Sequence, residues 1–220
     1  MLNVRILLRS AVTAAGAIVA AVGLMIVFAA STSANDIVDD WATVKPPPVP
    51  KLKPVALEGS TTALLVMDIV KSSCTSPRCM ATLPNVKRLH DAAQAAGAML
   101  WVALGKDSQS QPADVPGFVP GNGEWEHLPG PDKFFNSDLD EKLKARGIKT
   151  VVLCGVSFQG DGLSTATGAA ERGYNVIVPV DCFSSKDTYQ EQYAAWHLYE
   201  GGPGKIVHQV TLTRSTMVKF

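Results

Sequence analysis

The sequence lacks most of what specialises a protein. Its 220 residues include only four cysteines, too few to build a fold from disulfides. Neither sign of charge is in excess, with 20 basic against 20 acidic residues, and Lys and Arg never run beyond two in a row. A nucleic-acid binder needs a basic stripe to displace counterions, so nucleic acid is excluded as a partner. Charged residues make up 18% and hydrophobic ones 46%, a balance that opposes intrinsic disorder. No internal repeat is visible. A single ordinary globular domain with appendages remains.

One long hydrophobic run is present, at the N-terminus. Arg5 and Arg9 precede an uncharged stretch from Ser10 to Asn35, rich in Ala and Gly, with small residues at Thr32-Ser33-Ala34. A basic start, an apolar centre and a small-residue exit fit a secretory signal peptide over residues 1–34. About 20 apolar residues also suffice to span a bilayer, so an uncleaved membrane anchor is the alternative. Either reading exports the rest of the chain, to the periplasm or to the outer side of a membrane, and makes this segment its only membrane contact. Residues 35–59 then read as a linker, because Pro46, Pro47, Pro48, Pro50 and Pro54 forbid helix and favour extended chain.

From residue 60 to 220, strand and helix patterns alternate. Short apolar runs at 62–68, 98–104, 149–155 and 174–180 read as buried parallel strands, and 205–213 as a last one. Helical spacing covers 84–97, 137–147, 161–173 and 188–199, with Gly97, Gly147 and Gly173 as stops. A Gly/Pro-rich excursion fills 105–131. The alternation implies an α/β, three-layer, doubly wound, mainly parallel sheet of Rossmann-like topology. In such sheets chemistry collects at the carboxyl ends of the strands. That rule nominates Asp68, then Lys106 and Asp107, then the turn GVSFQGDG, then Asp181 and Cys182.

The segment RGIKTVVLCGVSFQGDGLSTATGAAERGYNVIVPVDC, residues 146–182, resembles the centre of the isochorismatase-like hydrolase superfamily. Gly155, Val156, Ser157, Gly160, Thr165, Ala166, Arg172, Gly173 and Asp181 carry the likeness. LLVMD, ending at Asp68, resembles the family's first strand, and FFNSDLDEKLKARGI its helix before the third strand. The resemblance implies a catalytic Asp, Lys and Cys, a cis peptide bond at Val156–Ser157, and a small-molecule substrate or ligand without a cofactor. It assigns Asp68 to the Asp and puts Asp161 where the Cys stands. Lys133, beside the matching Phe134, is the first candidate for the Lys. Lys106 is the second, and Lys71 is expected in solvent. Val156, Ser157 and Gly160 would line the binding turn.

A carboxylate in place of a thiolate is poorly suited to amide hydrolysis through a covalent intermediate. Two carboxylates in one pocket would instead repel, raise one pKa and retain a proton for acid-assisted hydrolysis. The alternatives stand beside this reading. Asp161 between two glycines could simply cap a helix, and the whole site could survive in a catalytically silent pseudoenzyme that binds a ligand. Metal-binding relatives use two His after the second strand. Here GKDSQSQP has none, so no metal is expected. Cys74 and Cys79, five positions apart in CTSPRC, form a disulfide candidate outside the cytoplasm. Cys154 reads as core, and Cys182 at a strand end is only a minor alternative as a displaced thiol nucleophile, since nothing in DCFSS offers it a base. Trp125 and His127 are candidates to cover a pocket, and Trp196 with His197 for core or for contact in a homo-oligomer.

Overall fold

A computed structural model describes residues 36–105, 124–128 and 130–220. The N-terminal stretch expected to be a signal peptide or anchor, Lys106 and Asp107 lie outside the described residues. No helix among the described residues is long and apolar enough to cross a membrane.

The chain divides into two units, Met1–Lys45 and Pro46–Phe220. In the first, helix α1 (Ile37–Asp40) starts at Asp36, whose side chain accepts from the amides of Val38 and Asp39 at 2.8 and 3.3 Å. The second unit contains, in order, β1 (Val55–Ala56), β2 (Thr62–Met67), α2 (Pro77–Ala95), β3 (Met99–Gly105) and β4 (Glu124–Leu128). Then follow α3 (Leu139–Ala145), β5 (Thr150–Val156), α4 (Leu163–Glu171), β6 (Asn175–Pro179) and β7 (Phe183–Ser184). Helices α5 (Thr188–Trp196) and α6 (Gly204–Gln209) precede β8 (Val210–Thr213) and β9 (Val218–Lys219).

The main sheet is parallel throughout, in the order β4-β3-β2-β5-β6-β8, with β7 pairing beyond it on β5. All six residues of β2 are buried, as a central strand covered on both faces must be. Period two sorts the strand residues into two cores. Ala63, Leu65, Met67, Val151 and Leu153 pack against α3, α4 and α5. Leu64, Val66, Val152 and Cys154 pack against Leu83, Val86, Leu89 and Ala93 of α2. The expected three-layer, doubly wound architecture is therefore present. Strand β2 sits between β3 and β5, so the ends of the first and third expected strands are neighbours.

Four local readings need correction. The domain does not begin at residue 60: the end of the Pro-rich segment pairs with the C-terminus, Val55 opposite Val218, and the Leu57 amide donates to Lys219 at 2.8 Å. Helix α2 starts seven residues before Pro84, because Ser76 caps it through the Cys79 amide and Pro77 occupies the first turn. Pro84 lies within it on an exposed face. The excursion contains β4, a short, charge-bearing edge strand whose composition hides it. The expected last strand is half helix. Pro203 accepts from the amides of Ile206 and Val207, which winds residues 204–209 before β8 begins.

Candidate active site

Asp68 follows β2 at the carboxyl edge of the sheet, in a left-handed conformation with φ of 53°. Its amide continues the ladder to Ala103 at 2.8 Å, while its carbonyl accepts from Val70 at 3.0 Å. The chain thus turns sharply and leaves the carboxylate facing along the strand ends. Oδ1 accepts from the Gly105 amide at the end of the neighbouring β3. Oδ2 accepts from Lys133 Nζ at 2.7 Å.

Lys133 is among the largest fully buried side chains, with only 1% of its side chain exposed. A buried ammonium is tolerable only when its protons are satisfied. Here all three are: Nζ also donates to Asp161 Oδ1 at 2.9 Å and to the Gly130 carbonyl at 3.1 Å. The backbone around it is held by Thr165 of α4, whose hydroxyl accepts from the Lys133 amide at 3.2 Å and donates to the Pro131 carbonyl at 3.0 Å. Ser137 closes the turn on the Lys133 carbonyl at 2.7 Å.

Asp161 arrives from the turn between β5 and α4. Gly155 has φ of 145°, and a Cβ there would lie 2.2 Å from the Met67 carbonyl oxygen, so only glycine lets β5 pass so close to β2. The Val156–Ser157 peptide is cis, as the resemblance implies. A wide helical turn over Phe158–Gly162 then brings the carboxylate back, so that Oδ2 accepts from the Ser157 amide at 3.3 Å. Asp161 therefore does not cap α4; it reaches backward across the turn. A Cβ at Gly160 would meet Ser157 Oγ at 2.6 Å, so a side chain there would force the Ser157 hydroxyl to rotate away.

Two oxygens that share one nitrogen at 2.7 and 2.9 Å cannot be further apart than the sum of those distances, so Asp68 and Asp161 face one point. Burial pushes the Asp68 carboxyl above its usual range, partly opposed by the Lys133 charge and hydrogen bond. The Asp161 charge pushes it further up, and the Gly105 amide pulls it down. Burial alone would lower Lys133, but the charge and hydrogen bond of Asp68, then those of Asp161, outweigh it and raise its pKa. The lysine stays an ammonium, and the Asp68 carboxyl gives up its proton at higher pH than an ordinary aspartate. A metal would have to occupy the place between the carboxylates that this ammonium fills. Among the described residues no group of His, Cys, Asp and Glu is arranged to hold one.

The other sequence candidates fall elsewhere. Lys71 is exposed, as expected. Asp181 is tied to the C-terminal turn, accepting from Ser215 N and Oγ at 2.8 Å each. Cys182 is fully buried, and burial, followed by a hydrogen bond with the free thiol of Cys154, drives its thiol far above the reactive range. His127 lies on edge strand β4, exposed, with Nδ1 3.2 Å from the Gly105 carbonyl oxygen. Cys74 and Cys79 are disulfide-bonded. A cavity of about 290 Å³ lined by Leu52, Phe158, Glu191 and Leu212 contains none of the three charged residues. The sequence offered no sign of Gly105 or Gly130 at the site, since both act through backbone atoms, and it marked Thr165 only as part of the resemblance, without the role its hydroxyl plays in holding the Lys133 loop.

A doubly wound α/β domain with Asp, Lys and a helix-entry side chain converging at the strand ends defines a hydrolase-like class. The chain belongs to the isochorismatase family: the Isochorismatase domain matches residues 62–211. It is 32% identical over 116 residues to the uncharacterized isochorismatase family protein YecD of Escherichia coli O157:H7, covering 45% of this chain and 61% of that protein. It is 32% identical over 143 residues to the streptothricin hydrolase of Streptomyces noursei, covering 57% of this chain and 50% of that protein. The chain thus spans about half to three-fifths of the length of these two relatives. Among solved structures, a cysteine hydrolase from Pseudomonas syringae pv. phaseolicola 1448A superposes with a TM-score of 0.63 at 18% identity. That match covers 77% of this chain and 94% of the other, and shows the shared fold.

Proposed function

We propose that the chain is a Cys-independent hydrolase of a small molecule, using Asp68 as acid, Lys133 as a fixed positive charge and Asp161 as the second carboxylate. The observation that carries this is the single buried ammonium bridging two carboxylates, one of them raised in pKa by burial. Repulsion within such a pair favours the state with one proton and one base, the arrangement that acid-assisted hydrolysis uses. For a vinyl ether, the Asp68 proton goes to the terminal alkene carbon and leaves an oxocarbenium ion. Water adds to it and loses a proton to a carboxylate. The resulting hemiketal then collapses to a ketone and an alcohol. No thiol enters any step, in keeping with the turn 157–162, which holds no cysteine.

The test is turnover on a panel of vinyl ethers, amides and esters, before and after thiol alkylation. Alkylation should leave the rate unchanged, and Asp68→Asn should lower it at least about 100-fold. Loss of activity on alkylation would move the chemistry to a cysteine and overturn the reading. A second reading has its own support: Asp161 is committed at both oxygens, to Lys133 and to Ser157, as a purely structural acceptor would be. A panel without turnover, with a small ligand still raising Tm, would establish that silent binding role.

We also propose that the domain works outside the cytoplasm. The uncharged segment behind Arg5 and Arg9 and the Cys74–Cys79 disulfide support this. Cell fractionation with N-terminal sequencing tests it, and a cytoplasmic full-length product would refute it.

A further inference from the structure

The turn that carries Asp161 is gripped from outside by residues that no motif singles out. The Phe158 amide donates to Ser185 Oγ at 3.2 Å, and that hydroxyl donates to Gln159 Oε1 at 2.6 Å. Ser185 is buried and is itself held, since its amide donates to Glu191 Oε1 at 2.9 Å. Glu191, on α5, receives a two-point contact from Arg78, with Nε at 3.0 Å from Oε1 and the second guanidinium nitrogen on Oε2.

Arg78 is not an ordinary surface base. It lies inside the small loop closed by Cys74–Cys79, where Ser76 caps α2 through the Cys79 amide and Pro77 fixes the first turn. The loop's other end leads straight to the first carboxylate, for the Cys74 amide donates to the Val70 carbonyl at 2.7 Å and the Val70 amide to that of Asp68. One stapled loop therefore contacts the turn after Asp68 directly, and reaches the turn before Asp161 through Arg78, Glu191 and Ser185. At 40% and 21% side-chain exposure, the Arg78–Glu191 pair adds little stability by itself. Its planar two-point geometry supplies direction instead.

We propose that Ser185 and Glu191, oriented by Arg78 and the disulfide loop, are positioning residues that hold the 157–162 turn so that Asp161 meets Lys133. The proposal rests on the reading of Asp161 as part of the reacting centre. The Ser157 amide, which donates to Asp161 Oδ2, is a reporter of that carboxylate's position that needs no substrate. Amide hydrogen exchange of Ser157 is compared with that of Val152 and Leu153 in β5 for the full chain and its variants. Ser185→Ala and Glu191→Gln should each speed Ser157 exchange about five- to tenfold while the strand amides stay within about twofold. Ser185→Thr, which keeps the hydroxyl, should restore the original rate. An unchanged Ser157 rate in both variants, or equal acceleration in β5, would overturn the proposal. Where a substrate is in hand, kcat should fall in both variants with KM held. The exchange result is independent of turnover, so failure of the brace and failure of the hydrolase reading are told apart.

Discussion

Replacing Lys133 by Met removes the buried charge while keeping much of its volume. Each Nζ–carboxylate contact, at 2.7 and 2.9 Å, is a gross attraction of about 6 kcal/mol at an effective dielectric of about 20. Desolvation of the ammonium, whose side chain is 1% exposed, offsets most of that. Breaking such a pair from one side leaves two carboxylates facing each other, and a net loss of about 3–5 kcal/mol is expected. The loss should depend on pH in a definite direction. In the parent, Lys133 has a folded pKa above its unfolded value, so its contribution is complete below the unfolded value and disappears as pH rises through the folded one. In the variant the Lys133 charge and hydrogen bond that lower Asp68 are gone, leaving only the Gly105 amide to oppose burial and Asp161, which still raise it. Its folded pKa then lies further above the unfolded carboxylate value. The variant is therefore most stable in acid and loses stability as pH rises through that folded pKa. Urea unfolding at about pH 5 and about pH 8 should show the larger deficit at the higher pH. A deficit below about 1 kcal/mol at the higher pH, or one that is equal at both, would refute the bridge as the organising charge of the site.

Asp161→Cys should put a thiol beside the Lys133 ammonium, and its alkylation should be faster than in the denatured protein; an equal or slower rate would remove position 161 from the site. In the parent, Cys154 and Cys182 should resist alkylation until the protein unfolds, because both are buried and the Cys182 thiol is held neutral; mass analysis of labelled native protein checks this. Gly155→Ala should cost about 3 kcal/mol or more, since its Cβ would sit 2.2 Å from the Met67 carbonyl oxygen at an unfavourable φ, and denaturant midpoints measure it.

What the sequence by itself determined was whatever local pattern encodes. Continuous apolar runs such as TALLVM announce strands buried on both faces, and Gly97, Gly147 and Gly173, all at positive φ, mark the ends of helices. Alternation of those elements was enough to place Asp68 and the 155–162 turn at the carboxyl edge of the sheet, and the strand order makes them neighbours. The resemblance added Asp161 and nominated Lys133, leaving the choice among lysines open. Tertiary structure made that choice. Lys133 lies 65 residues from Asp68 and 28 from Asp161, and only the packing of its loop against Thr165 brings Nζ between them. It also took tertiary structure to turn Asp161 backward from the helix it enters, to pair β1 with β9 and to recruit β4 at the sheet edge. These outcomes depend on backbone hydrogen bonds between distant segments, which any residue can make. Composition therefore leaves no trace of them, whereas a buried ammonium, once enclosed, admits only the acceptors that the fold delivers.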